Sequence, residues 1–346
     1  MSSRKQIPSI LVIYTGGTIG MIKDPDTGAL APFDFHTLYK HIPILENISC
    51  NIESYSFDPL IDSSNMKPAF WIKLAEVIEE NYSRFDGFVV LHGTDTMAYT
   101  ASVLSFMLEN LDKPVVFTGS QLPMGVIRTD GRDNFINAIE IAVAKNEGIA
   151  IIPEVCICFE NNVMRGNRTS KFNAENFNAF LSGNYPLLAK VGVHIKYFEQ
   201  NIMKPGSGNI QVHKQLDQDV AILKLFPGIT ENVVKSILKI KGLKGVILET
   251  YGAGNAPTDK WFIDALSGTI SSGITVFNVT QCKGGSVEMG KYETSRQLEG
   301  IGVVGGFDIT TESAIAKMMF LLGQGYEGNE LKLMLQKPLA GELTVE

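Results

Sequence analysis

The sequence predicts an α/β protein: a larger N-terminal parallel-sheet domain with helices on both faces, a linker, and a smaller C-terminal α/β domain. Three observations carry this. The apolar runs Ile10–Tyr14, Gly87–Leu91, Pro114–Thr118 and Ile149–Ile152 are short, bounded by turn residues, and read as strands buried on both faces. Segments of helical period lie between them, so the units alternate as βαβ. A polar stretch containing KPGSGN then breaks the rhythm, and the chain is longer than one core usually spans.

In chain order, Ile10–Tyr14 runs into a glycine-rich turn. Pro68–Tyr82 opens with a proline suited to a first helical turn and carries apolar residues at helical spacing. Helices over Tyr99–Asn110 and Asp133–Lys145 follow, then a strand over Val155–Phe159. The linker at 196–217 separates a domain at 1–195 from one at 218–346. Beyond it the alternation restarts with Val220–Phe226, a helix near Glu231–Ile240, Gly245–Leu248, a helix near Asp259–Ser267, Ile274–Val279 and a helix near Glu312–Gly323.

Composition narrows the function. Hydrophobic residues make up 45% and charged residues 19%, as in a globular protein and unlike a disordered one. A net charge of −7 without a long basic run argues against nucleic acid or an anionic membrane as partner. No apolar run approaches the roughly 18 residues of a membrane span. The first apolar run is shorter than the roughly 7–15 residues of a secretory signal, so a cytoplasmic protein is predicted. Cys156 and Cys158 occupy alternate positions, which suits neither a redox pair nor a zinc ribbon.

Ligands of open α/β sheets sit beyond the carboxyl ends of the strands, so the loops after strands carry the chemistry. The first is Tyr14-Thr-Gly-Gly-Thr-Ile-Gly20. Thr15 and Thr18 offer hydroxyls beside flexible backbone, as a nucleophile with an oxyanion site would need, or as a plain turn would tolerate. Gly16, Gly17 and Gly20 do not match the dinucleotide spacing. Met21–Leu30 is polar and turn-rich, like a lid. The second loop, Leu91-His-Gly-Thr-Asp-Thr-Met97, gathers Thr94, Asp95 and Thr96 around Gly93. These suit a helix N-cap, or an aspartate receiving an ammonium group. His92 reads as structural rather than as a general base. The third segment, Arg165-Gly-Asn-Arg-Thr-Ser-Lys171, is either a solvated basic face or a lysine base tuned by burial and by Arg165 and Arg168.

Together, TGGTIG, HGTDTMAYTAS and RGNRTSK resemble the L-asparaginase family, bacterial type I branch. The agreement extends through DSSNM (Asp62–Met66), TGSQLP (Thr118–Pro123), YGAGNAP (Tyr251–Pro257), NVTQC (Asn278–Cys282) and GELT (Gly341–Thr344). The resemblance implies hydrolysis of L-asparagine without metal or cofactor. It implies that Thr18 is the nucleophile and that Thr94, Lys171 and Asp95 form the second catalytic group, with the Lys171 amine polarising Thr94 and the attacking water. Asp95 would also receive the substrate's α-ammonium. Ser63, with Asp62 and Ser64 nearby, would hold the α-carboxylate. N–H groups beside Gly93 and Thr94 would stabilise the oxyanion. It implies dimers or dimers of dimers, with Asn255 reaching a neighbour's site. Related alternatives are a mixed glutaminase–asparaginase, the tRNA-linked glutamine-deamidating subunit, for whose extra N-terminal domain TGGTIG starts too early, and a non-catalytic amino-acid sensor on the same fold.

Two positions depart from the type I pattern. A lid tyrosine expected after TGGTIG is replaced at or near Leu30, which leaves Tyr292 as the candidate hydroxyl beside Thr18. Some type I enzymes also bind a second asparagine through an arginine before the YG-x-GN loop; here Glu249 stands there. A carboxylate repels the ligand's α-carboxylate, so although Thr280, Gln281 and Cys282 remain, asparagine activation is expected to be weakened or absent.

Overall fold

The computed structural model of this chain describes residues 7–23, 30–32, 42–290 and 293–345. The chain forms two compact units: Met1–Ser182 with Pro186–His213, and Gly183–Tyr185 with Lys214–Glu346.

The first unit is built on an eight-stranded sheet. Its strands are β1 (Ser9–Tyr14), β2 (Asn51–Ser56), β3 (Gly87–Leu91), β4 (Val115–Thr118), β5 (Val155–Phe159), β6 (Asn162–Arg165), β7 (Ala189–Lys190) and β8 (Lys196–Tyr197). The spatial order is β8-β7-β6-β5-β4-β3-β1-β2, parallel from β5 to β2 and antiparallel beyond. Strands β3, β4 and β5 are buried at every position, as uninterrupted apolar runs require when both faces are covered. The covering helices are α1 (Pro68–Asn81), with Pro68 at its first position, α2 (Met97–Met107) and α3 (Gly131–Val143).

The order fixes the site. From β1 the chain passes to β2 on one side, then crosses to β3 on the other. The reversal lies between β1 and β3, where open α/β sheets bind ligands. The loops after these strands are the glycine-threonine loops of the sequence.

Three expectations change. The run Ile149–Ile152 does not form a buried strand. Glu147 and Gly148 adopt φ of 51° and 86°, a tight reversal, and Ile149–Ala150 folds back on Lys145–Asn146 with Ile149 exposed. Helix α2 ends at Met107, because Leu108–Glu109 pairs instead with Gln211–Val212. Much of 196–217 folds with the first unit, since Lys196–Tyr197 is the edge strand of the large sheet.

In the second unit β9 (Val220–Lys224), β10 (Gly245–Thr250), β11 (Thr275–Thr280) and β12 (Val304–Gly305) form a parallel sheet in sequence order. Leu223, Val246, Leu248 and Val276 pack with Phe262 and Leu266 of the helix Lys260–Ser271. The terminal GELT motif is structural. Glu342 pairs at 2.6 Å with Lys317, both side chains fully buried, and accepts the N–H groups of Leu339 and Ala340. Among the described residues no helix is long and apolar enough to cross a membrane.

Candidate active site

Three backbone segments interlock at the switch point. The Thr15 N–H and hydroxyl both donate to the Leu91 carbonyl, at 3.1 and 3.0 Å, and Ile61 N–H donates to the Thr15 carbonyl at 2.8 Å. Gly16 and Gly17 have φ of 136° and 89°, which favours glycine. Space demands glycine as well: a Cβ on Gly17 would lie 2.5 Å from Gly93 Cα, and one on Gly16 would lie 2.1 Å from the Ile61 carbonyl oxygen. A Cβ on Gly93 would in turn lie 2.5 Å from Ser63 Oγ. The first loop thus rests on both the others, and Thr18, which begins the 3-10 turn Thr18–Gly20, directly follows the Gly17 that packs on Gly93.

Lys171 lies on a separate two-stranded ribbon. The short strand Ser170–Lys171 pairs with Phe180–Leu181. Its Nζ donates to Thr94 Oγ1 at 2.8 Å and to Asp95 Oδ1 at 2.7 Å. The lysine side chain is 16% exposed and that of Asp95 65%, so the amine is sheltered while the carboxylate faces outward. The N-cap of α2 is Thr96, but its hydroxyl makes no capping bond; it donates to the Ser63 carbonyl at 2.7 Å. The N-cap side chain therefore ties the second loop to Ser63 instead of capping the helix. Helix α2 still directs its positive N-terminal end at this loop.

Ser63 is buried, and Asp62 and Ser64 flank it on the surface. The Asp62 carboxylate accepts from the Ser64 N–H at 2.9 Å and the Ser64 hydroxyl at 2.8 Å, and these bonds lower its pKa. Sequence reasoning gave Gln121 no role. Its Nε2 donates to the carbonyls of Ala174 and Asn176, which turns Oε1 toward Thr94 Oγ1 at 3.5 Å. The signal was present in TGSQLP, directly after β4, but a lone glutamine in a loop carries no chemical signature.

His92 is buried in the scaffold behind the second loop. It is 1% exposed, and burial lowers its pKa to about 4. Its Nδ1 lies 2.7 Å from the Gly93 carbonyl, an acceptor, so Nδ1 carries the proton and Nε2 accepts from Thr100 Oγ1 at 3.0 Å. Trp71 Nε1 donates to the same Thr100 hydroxyl. Arg165 does not serve as a free cation beside Lys171: it forms a buried ion pair with Glu154 at 2.6 Å and donates to the Asn201 carbonyl.

After TGGTIG, Met21–Lys23 pairs antiparallel with Leu30–Pro32, and the rest of the stretch read as a lid, 24–29, lies outside the described residues. Tyr292 lies outside the described residues. Asn255 pairs with Tyr251 across an isolated bridge. In the second unit Glu249, Thr280, Gln281 and Cys282 gather at the ends of β10 and β11. Glu249 Oε1 accepts from Thr311 Oγ1 at 2.6 Å, and Oε2 pairs with Lys224 at 2.9 Å. Gln281 Nε2 donates to the Leu225 and Glu249 carbonyls, and Thr280 Oγ1 to the Gly252 carbonyl. Among the described residues no group of His, Cys, Asp or Glu is placed to hold a metal ion.

The chain is similar to known proteins over nearly its whole length. The family described as Asparaginase, N-terminal, matches residues 9–203, and the Glutaminase/Asparaginase C-terminal domain matches residues 219–335. L-asparaginase 1 of Escherichia coli K12 is 41% identical over 98% of this chain and 99% of its own. The 60 kDa lysophospholipase of Mus musculus is 40% identical over 97% of this chain but 62% of its own. The crystal structure of L-asparaginase I from Vibrio cholerae superposes with a TM-score of 0.88 at 38% identity, over 98% of this chain and 100% of that one.

Proposed function

The chain belongs to the asparaginase family, as an L-asparaginase, and on that premise we propose that it hydrolyses L-asparagine through Thr18 as nucleophile and a β-aspartyl ester. The observation that carries the mechanism is the Lys171–Thr94–Asp95 cluster, drawn from distant parts of the chain and bonded at 2.7–2.8 Å beside the Thr18 loop. The Thr18 hydroxyl attacks the side-chain amide carbon, its proton leaves with ammonia, and the ester remains. Backbone N–H groups at Gly93 and Thr94, with the N-terminus of α2 behind them, stabilise the developing oxyanion. Water, activated by Thr94 and Lys171, then cleaves the ester, releasing aspartate and restoring the hydroxyl. Asp95 receives the substrate's α-ammonium, and Ser63, between Asp62 and Ser64, its α-carboxylate.

Ammonia release from asparagine and glutamine over a wide concentration range tests the reading. Turnover of asparagine is expected; inertness toward both amides overturns it. A mixed glutaminase–asparaginase would show comparable rates on the two, since one methylene is worth only about 1–3 kcal/mol of discrimination.

The same reading covers regulation, assembly and location. Glu249 is already held by Thr311 and Lys224, so the rate curve for asparagine is expected to be hyperbolic; a strongly sigmoidal curve abolished at Cys282 would refute this. The enzyme self-associates as a dimer or dimer of dimers, with Asn255 completing a neighbour's site, and works in the cytoplasm. Asn255→Ala is expected to impair turnover without altering the sedimentation coefficient.

A further inference from the structure

We propose that Tyr14 is a positioning residue for Thr18, its ring forming the floor of the Thr18–Gly20 turn and its hydroxyl anchoring the Gly17 carbonyl. The assignment rests on Thr18 being the nucleophile. Tyr14 is the last residue of β1 and is 1% exposed. A Cβ on Gly20 would lie 2.1 Å from Tyr14 Cζ, 2.2 Å from Cε2 and 2.4 Å from the hydroxyl oxygen. Gly20 is not among the glycines of positive φ, so its backbone conformation is open to any residue. What excludes a side chain there is the ring. The last glycine of TGGTIG is thus a seat for Tyr14, required by the ring and not by its own backbone conformation.

The hydroxyl adds a second constraint. It donates to the Gly17 carbonyl at 3.4 Å, and the Gly20 N–H donates to the same oxygen at 3.3 Å. That carbonyl shares a planar peptide with the Thr18 nitrogen, so fixing its direction fixes where the Thr18 side chain starts. Gly93 approaches the loop at Gly17, where a Cβ would lie 2.5 Å from its Cα. Thr18 is therefore held between Gly17, packed on the second loop, and Gly20, packed on the Tyr14 ring. Burial pushes the phenol up to about 12, which keeps it a donor throughout the working pH range. At 3.4 Å the hydrogen bond is long, so the ring contributes more than the hydroxyl.

The test is pre-steady-state ammonia release, per active site, in Tyr14→Phe, Tyr14→Leu, Gly20→Ala and the double variant Tyr14→Leu/Gly20→Ala, with Thr18→Ala alongside. A nucleophile displaced by about 1 Å loses on the order of 10²-fold in rate. Tyr14→Leu and Gly20→Ala are each expected to slow acylation by that order with KM within about three-fold, and Tyr14→Phe by about three-fold. The double variant, which relieves the clash, is expected to be faster than Gly20→Ala alone. A merely structural Tyr14 would lower the melting temperature and leave the rate per active site unchanged, which overturns the proposal. So does a Gly20→Ala enzyme of undiminished rate, even if Tyr14→Leu fails to fold. Full activity in Thr18→Ala would instead overturn the nucleophile assignment.

Discussion

At the strand ends of the first unit, Thr94, Asp95 and Lys171 bond to one another across the chain, beside a loop that carries Thr18. At the strand ends of the second unit, Glu249, Thr280 and Gln281 also cluster, but each is bonded to its own scaffold: Glu249 to Thr311 and Lys224, Gln281 and Thr280 to backbone carbonyls. Both sheets are parallel, and both place polar side chains where ligands of such sheets bind. The difference lies in what the hydrogen bonds fix. In the first unit side chains from separate segments fix one another, which preorganises groups for chemistry. In the second, Gln281 and Thr280 hold backbone carbonyls, and Glu249 ties β10 to Lys224 of β9 and to Thr311 of a helix, so the bonds join scaffold elements rather than set an amine on a hydroxyl.

The contrast is broken or sharpened most strongly at the first cluster. Thr18→Ala and Lys171→Met are each expected to lower kcat by roughly 10³-fold or more while leaving the thermal melt nearly unchanged. A Lys171→Met enzyme of normal rate would reduce the first cluster to the structural status of the second.

The next effect is on stability. Free in the unfolded chain, His92 takes up a proton near pH 6.5; folded, it does so only near pH 4. Between those values only the unfolded chain gains the proton. Its contribution is therefore complete above pH 6.5 and is lost as pH falls to 4, about 3 kcal/mol in all. Urea unfolding at pH 7 and pH 4.5 checks this, and His92→Gln is expected to flatten part of the slope.

Gln121→Leu removes the group that aligns Thr94 with the segment around Ala174–Asn176. Loss of such bonds costs about 1 kcal/mol, so a fall of about five- to ten-fold in kcat is expected, with KM little changed. The smallest effect belongs to the second cluster. Glu249→Ala is expected to leave kcat within about two-fold and to cost about 1–2 kcal/mol of stability, through Thr311 more than through the exposed Lys224.

Much of this was legible in the residues. Strands β3 to β5 are continuous apolar runs, and the loops that follow them carry the hydroxyls and carboxylate, so fold class and site position came from local pattern. The convergence of Lys171 on Thr94 did not: the two are 77 positions apart, and only the resemblance joined them. Edge strands of two residues, such as Lys196–Tyr197, are too short to show a period. Arg165 read as one of three nearby cations because its partner Glu154 sits on the preceding connection. Gly20 entered the sequence reading only through the missing dinucleotide spacing, whereas its reason is the Tyr14 ring, a packing fact invisible without coordinates.

Treatment with an asparagine analogue that carries a diazoketone in place of the side-chain amide, followed by peptide mapping, asks most directly which oxygen attacks. The account predicts loss of nitrogen and a stoichiometric ether on Thr18, with asparagine protecting. A label on Thr94, or inactivation without any label in the Tyr14–Gly20 peptide, would contradict it.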